Sequence, residues 1–267
     1  MTGLSAPSGL SDTSTWLPLD GLAPGFDANK APTVADLHDR SLVLRCDDGS
    51  TLSARFSGTR IDWTHHASGT DESETFLVDD GLYYVQFHPS GTPEQAYAVF
   101  LDLREGRALV VLSRIGDTAP RVTQTFLTAT IEGIDARGDV PAPTTSLIGR
   151  RALWVYSAAH AYEHLYLSPH WYTWQCLAGP EKGLADTDEN TTYRLRPGIF
   201  VFTWREKVIP CGSVTVADHR DTRRLRSHGV LFGLDGTGEV PTHFTFGAHG
   251  KLLSTTVHPA EYDPADE

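Results

Sequence analysis

The chain is poor in sulfur, with three cysteines and one methionine in 267 residues. Three thiols cannot all pair within one chain, and Cys46, Cys176 and Cys211 show no CxxC spacing. A disulfide framework and a CxxC-type zinc or redox centre are therefore excluded, and the thiols read as the reduced cysteines of a cytoplasmic protein. Positive charge is scarce too: 22 Lys and Arg stand against 34 Asp and Glu, a formal net charge of -12. Binding to phosphate backbones needs clustered cations, so neither nucleic acid nor an anionic membrane surface is an expected partner. No apolar run approaches the length of a bilayer span, and no basic segment followed by an apolar one opens the chain. GxGxxG, Walker A and GxSxG motifs are missing, which argues against a nucleotide, a hydride cofactor or a serine nucleophile. Helical periodicity is weak throughout, leaving at most short helical turns at Ala31 to Arg40 and Ala158 to Glu163.

What remains is β-sequence, and it comes twice. Leu42 to Arg45 and Thr51 to Phe56 flank Asp-Asp-Gly, a hairpin signal because Gly accepts positive φ. Leu82 to Phe87, Tyr97 to Leu103 and Ala108 to Ile115 are further strand-like runs between Gly-, Pro- and Asp-rich turns. The segment starting at Gly81 aligns with the one starting at Gly198: Phe76 falls on Tyr193, Phe87 on Trp204 and, after one gap, Asp102 on Asp218. Trp63 matches Trp174, with extra residues inserted in the second copy. A duplicated unit of about a hundred residues predicts two similar domains. An antiparallel meander loses its exposed edges by closing. The expected organisation is an arm (1–34), an N-terminal barrel (35–135), a linker (136–147), a C-terminal barrel (148–255) and an acidic tail (256–267).

The stretch from His160 to Lys207 mixes aromatics with titratable groups. Burying charges beside aromatics is costly unless each is paired, whereas aromatic walls with a few convergent polar groups describe a small-molecule pocket. His160 and His164 have a zinc-like spacing, but there is no HExxH and no third ligand at a familiar distance, so no metal is expected. If the stretch is extended, Tyr162, His164 and Tyr166 share one face, and Glu163, Leu165 and Leu167 the other. Glu206 shares a face with Phe200, Phe202 and Trp204, while Arg205 and Lys207 point away. A carboxylate among such neighbours has its pKa raised by desolvation unless a cation pairs with it. Both Glu163 and Glu206 are candidates for acid/base work, and both could instead be solvated or bridged at a barrel mouth. A one-residue slip would turn Glu206 outward and Arg205 inward. Glu181 to Asp188 is the insertion, expected as a lid in which Asp186 and Asp188 form turns. Cys176 has no basic neighbour in sequence to lower its thiol pKa.

The run YEHLYLSPHWYTWQCLAGPEKGLADTDENTTYRLRPGIFVFTWREKVIPCG, with GAHGKLL at Gly247 to Leu253, resembles the C-terminal half of the molybdenum cofactor biosynthesis protein F (MoaF) family. The region around Gly81 to Leu103 is similar to that family's N-terminal domain. The resemblance implies an all-β chain of two tandem calycin-like antiparallel β-barrels, akin to lipocalins and phenolic acid decarboxylases. Such barrels bind small ligands or perform cofactor-free acid/base chemistry, and fold likeness does not choose between them. The expectation is a cofactor-independent lyase, isomerase or cyclase acting on a small organic metabolite in the C-terminal barrel. Glu163, Glu206, His164 and Tyr166 would be catalytic. Tyr162, Trp174, Cys176, Tyr193, Phe202, Trp204, Arg205 and His249 would bind substrate. No cofactor is expected, and a homodimer is left open. The alternative is a non-catalytic binding protein for a pterin-like or aromatic metabolite linked to molybdenum cofactor biosynthesis.

Overall fold

The computed structural model describes residues 12–266. Eight antiparallel strands form the first barrel: β1 (Ser41–Cys46), β2 (Thr51–Ser57), β3 (Arg60–Thr64), β4 (Ser68–Asp79), β5 (Leu82–Phe87), β6 (Gln95–Asp102), β7 (Arg107–Ile115) and β8 (Val122–Ile131). Each pairs with its successor, and β1 closes on β8. A two-residue strand, β9 (Ala142–Pro143), follows within the expected linker. The second barrel comprises β10 (Arg150–Val155), β11 (Ala161–Tyr166), β12 (Trp171–Ala178), β13 (Ala185–Arg196), β14 (Ile199–Arg205), β15 (Cys211–Asp218), β16 (Leu225–Leu234) and β17 (Pro241–Thr255). It closes through β10 on β17, and β9 adds to the edge of β13. The chain is thus all-β, two closed eight-stranded antiparallel barrels; among the described residues the helical content is one single-turn α-helix, α1 (Leu19–Leu22), and three short 3-10 turns.

The repeat is visible in detail at the turns. Gly81 and Gly198 both have positive φ, and a Cβ at either would lie 2.6 Å from the side chain of the following hairpin's arginine, Arg104 or Arg220. Asp102 and Asp218 each accept a hydrogen bond from that arginine's backbone N–H. The turn expected at Asp47-Asp48-Gly49 also forms, with Gly49 at φ 85°.

Strands β5 to β7 and β14 to β16 are apolar on both faces because both faces are covered. Val85, Phe87, Tyr97 and Val110 fill the first barrel. On the reverse side Tyr84, Phe100, Leu109 and Val111 pack against Val201, Val214, Val216 and Val230 of the second. Arg196 clamps the joint, donating two hydrogen bonds to Asp102 (2.7 and 2.8 Å) and one to Asp79 (2.8 Å). The two-sided burial erases the alternation that would otherwise mark such strands.

Residues 12–30 of the arm lie across the mouth of the second barrel. Leu19 is fully buried, Phe26 packs on Tyr156, Tyr162 and the His160 ring, and Trp16 meets Trp174 edge-on at 5.6 Å. Residues 1–11 of that arm, and Glu267 of the tail, fall outside the described residues. The helical turn expected at Ala158 to Glu163 is instead a bend running into β11: Ser157 Oγ accepts from the N–H groups of Ala159 and His160, which ends any helix there. At Ala31 to Arg40 the chain is irregular, with a turn over residues 36–39. Cys46, Cys176 and Cys211 are buried free thiols. Among the described residues no helix is long and apolar enough to cross a membrane.

Candidate functional site

Each barrel holds a tryptophan bonded to a buried aspartate. Trp63 Nε1 donates to Asp71 at 2.7 Å, and Trp174 Nε1 donates to Asp188 at 2.9 Å. The second oxygen of each aspartate accepts a backbone N–H, from Ser90 at 2.9 Å and from Lys207 at 3.2 Å. The sequence intervals from Asp71 to Phe87 to Ser90 and from Asp188 to Trp204 to Lys207 are identical. Asp188 is therefore the counterpart of Asp71 inside strand β13. The turn-forming role expected for it does not hold, because the inserted residues lie before it, in the β12–β13 loop. Asp186 sits at the surface, where Lys207 Nζ reaches it at 2.9 Å.

The second barrel adds Glu206, where the first has Pro89. Glu206 Oε1 accepts from Trp204 Nε1 at 2.8 Å, and its carboxyl hydrogen-bonds that of Asp188. Two carboxyls in such contact hold one proton between them. Burial raises the pKa of Glu206 well above the usual carboxylate range, and the Asp188 charge raises it further. Burial also raises Asp188. Asp71 shows the opposite behaviour: burial pushes it up, but the donors Trp63 and Ser90 outweigh that and hold it low.

Glu206 lines a cavity of about 60 Å³, measured as the space open to the centre of a water molecule. That is room for a few waters or a small group. Tyr156, Tyr162, Tyr172, Trp174 and Trp204 wall it, Cys211 and His164 complete one side, and Leu22 and Phe26 of the arm close it. Glu181, from the β12–β13 loop, reaches in and accepts from the Tyr162 hydroxyl at 2.8 Å; burial raises its pKa. Burial drives His164 down to about 3, so its imidazole is neutral at physiological pH. Glu206 Oε2, Glu181 Oε1 and His164 Nδ1 are buried, and among the described residues no N–H or hydroxyl reaches them. A wider, open groove runs between the arm, β4 and β17, but its Glu74 is already neutralised by Lys30 at 2.7 Å.

Of the residues singled out by sequence, Glu206, His164, Tyr162, Trp174 and Trp204 meet in this cavity. Tyr166 and Phe202 lie deeper in the same barrel, beside a second small void that also touches His164. Cys176 is buried in the barrel core behind Tyr162. Glu163 lies on the opposite face of β11 from His164, ion-paired with Arg151 and away from the cavity. Arg205 is also outside, against Glu189 and Gln124 of the first barrel's β8. Tyr193 stacks on Phe126 between the barrels at 4.7 Å, and His249 is a surface residue of β17 beside Arg226. Sequence reasoning missed Glu181, Asp188, Tyr156, Tyr172 and Cys211. The equal spacing of Asp71 and Asp188 relative to Phe87 and Trp204 was the available signal for one of them. Among the described residues, no three His, Cys, Asp or Glu side chains converge in a geometry that could hold a metal ion.

Residues 141–256 match the MoaF C-terminal domain and residues 14–117 the MoaF N-terminal domain. A curated relative, protein MoaF of Klebsiella aerogenes, is 31% identical over 239 residues, spanning 84% of this chain and 85% of the relative. The chain belongs to the MoaF family.

Proposed function

We propose that this MoaF-family protein is a cofactor-independent acid/base enzyme, of the lyase or isomerase kind, acting on a small organic metabolite in the C-terminal barrel. One observation carries the reading: the Glu206 carboxyl, backed by that of Asp188, lines an aromatic-walled cavity. A carboxylic acid kept protonated near neutral pH can give a proton to a bound substrate and take it back. Asp188 stabilises the charge distribution of the pair, and neutral His164 offers a second acceptor across the cavity. Closure by Leu22, Phe26 and Glu181 keeps water from the reacting centre. Arg205 lies outside, so it takes no part in holding a substrate, and the roles first given to Glu163 pass to Asp188 and Glu181. We read the site of action as the cytoplasm, from the three reduced thiols.

The experiment is a substrate screen followed by Glu206→Gln, which keeps the shape and removes the titrating group. Turnover should fall by roughly two to four orders of magnitude, well beyond any loss of ligand affinity. Full turnover in Glu206→Gln would remove the carboxyl pair from the chemistry. The second reading, a binding protein for a pterin-like or aromatic metabolite of molybdenum cofactor biosynthesis, is favoured by the flat aromatic walls and the strap that covers them. There the same substitution would shift affinity, and no turnover would exist to lose.

A further inference from the structure

The charge inventory of the cavity is one-sided. Two carboxyls line it and a third, Asp188, stands behind Glu206, while no lysine or arginine side chain is part of its wall. The nearby cations are engaged elsewhere: Lys207 with Asp186, and Arg205 with Glu189. Glu181 is 5% exposed and Glu206 9% exposed, and each carries one carboxyl oxygen that no N–H or hydroxyl of the described residues reaches. Around these two acceptors stand the rings of Tyr156, Tyr162, Trp174 and Trp204. The faces of aromatic rings carry negative potential and attract cations. Acceptors without donors and a set of ring faces select the same kind of guest.

We propose that the C-terminal cavity takes a small organic cation of a few heavy atoms whose N–H groups donate to Glu181 and Glu206, such as a short amidinium or a protonated short primary amine, and rejects anions. The proposal rests on the cavity being the ligand site, and is independent of whether that site is catalytic. Charge-assisted N–H bonds to carboxylate are about twice as strong as neutral ones, and the closed, apolar surroundings keep water from competing. An anion would meet only acceptors.

Binding has a proton balance. The Asp188–Glu206 pair holds one proton between two carboxyls; the cation's N–H donors replace it as partner for Glu206, and the proton leaves to solvent as Glu206 becomes a carboxylate. No bond of the guest is broken. The groups facing the pair are Glu181 from the β12–β13 loop, Asp186 of β13, Tyr172 of β12, Cys211 of β15 and, after β14, Lys207, whose backbone N–H donates to Asp188 and whose ammonium is held by Asp186; Tyr156 at the end of β10 lines the same cavity. His164 of β11 lines the same wall. Burial holds Tyr156, Tyr172 and Cys211 neutral and His164 unprotonated at physiological pH. The proton lost on binding therefore comes from the carboxyls.

Acetamidine, acetamide and acetate have nearly one shape and charges of +1, 0 and -1, and each is titrated into the whole chain. The indole N–H resonances of Trp174 and Trp204, bonded to Asp188 and Glu206, report on the cavity, and that of Trp63 on the first barrel. Acetamidine should shift both cavity indoles and bind at least about tenfold more tightly than acetamide, the equivalent of about 1.4 kcal/mol; acetate should leave them unmoved. Calorimetry in two buffers of different ionisation heat should show proton release with acetamidine at pH 7. Glu206→Gln should remove that release and most of the preference, and Glu181→Gln tests the second acceptor if the first variant does not fold. If acetamide or acetate shifts the same indoles as strongly as acetamidine, the cation preference is wrong and the cavity stands as the ligand site. If all three leave Trp174 and Trp204 unmoved, or move only Trp63, both the preference and the site assignment fall.

Discussion

The two barrels place a tryptophan, an aspartate and a backbone N–H in the same relation, Trp63 with Asp71 and Ser90, and Trp174 with Asp188 and Lys207. What surrounds this triad differs. Inside the first barrel, β6 contributes Tyr97, Val99 and Leu101; at the matching positions β15 contributes Ser213, Thr215 and Ala217. Thr215 and Ala217 leave a small void that the aromatics of β10, β11 and β14 do not fill, next to the cavity that Cys211 of β15 lines. Where the first barrel has Pro89, the second has Glu206. A satisfied buried aspartate and a strained carboxyl pair thus stand on one scaffold, separated by a single added carboxyl and the space beside it. The comparison teaches that the hydrogen-bonded triad is architectural, and that the proposed site departs from it by one carboxyl and the space beside it.

The strongest way to break the comparison is to exchange the fillers. Tyr97→Ala should open a hole in the first barrel and cost about 3–5 kcal/mol, as truncation of a fully buried aromatic does. Ser213→Tyr should cost less, about 1–3 kcal/mol of overpacking, yet abolish ligand-induced shifts at Trp204. Denaturant unfolding followed with ligand titration separates the two. A first barrel indifferent to the loss of Tyr97 would show that its interior is not the packed structural unit described.

Asparagine at each aspartate sharpens the contrast. Asp71→Asn replaces an oxygen that accepts a hydrogen bond by an amide that cannot, and should cost about 1–3 kcal/mol. Asp188→Asn removes a like charge from beside Glu206, which offsets its own lost acceptor, so the net change should be small. The pH dependence should have opposite signs. Asp71 is held low in the folded chain, so its contribution is present above the unfolded value near 4 and is lost as pH falls through the folded one. Glu206 is held high, so the folded state keeps a proton that the unfolded state gives up, and stability is lost as pH rises through the folded value. Amide protection, taken relative to the base-catalysed intrinsic rate, should fall towards acid in β4 and towards alkaline pH in β13. Glu206→Gln should flatten the second trend and raise Tm at pH 8 by roughly 2–4 °C, equivalent to about 1 kcal/mol.

Much of the architecture was legible in the sequence, and less of the site. Turns announced themselves through Gly49, Gly81 and Gly198, and the repeat through Phe87 with Trp204 and Asp102 with Asp218. The inward placement of Tyr162, His164 and Glu206 follows from strand alternation once the register is right. Alternation says only which face a residue takes, not what meets it there. Arg151 on β10 claims Glu163 across the ladder, and Phe126 of the other barrel claims Tyr193; both partners are remote in sequence. Asp188 was misread because an Asp-Thr-Asp run beside an insertion has turn composition, whereas its burial depends on Trp174 fourteen residues earlier. The arm's role was hidden for the same reason: Ser- and Pro-rich composition conceals Leu19, Leu22 and Phe26, which become core only against a finished barrel.

The smallest effect separates the two carboxylates that look alike in sequence. Glu163 in β11 and Glu206 just past the end of β14 are both buried glutamates of one barrel, but Glu163 faces outward, and its partner Arg151 is half exposed. Glu163→Gln keeps a hydrogen-bond acceptor for the guanidinium and gives up only the charge term of a solvent-screened pair, so it should cost no more than about 1 kcal/mol. Turnover, acetamidine affinity and proton release should stay within about twofold of the parent, against the losses expected for Glu206→Gln, since an outward pair couples to the cavity only through the strand that carries it. Urea unfolding and the same calorimetric titration check both statements. A Glu163→Gln protein that folds normally but loses ligand binding or turnover would mean that the outer face of β11 takes part in the site, and the line drawn between a structural and a chemical carboxylate would have to be moved.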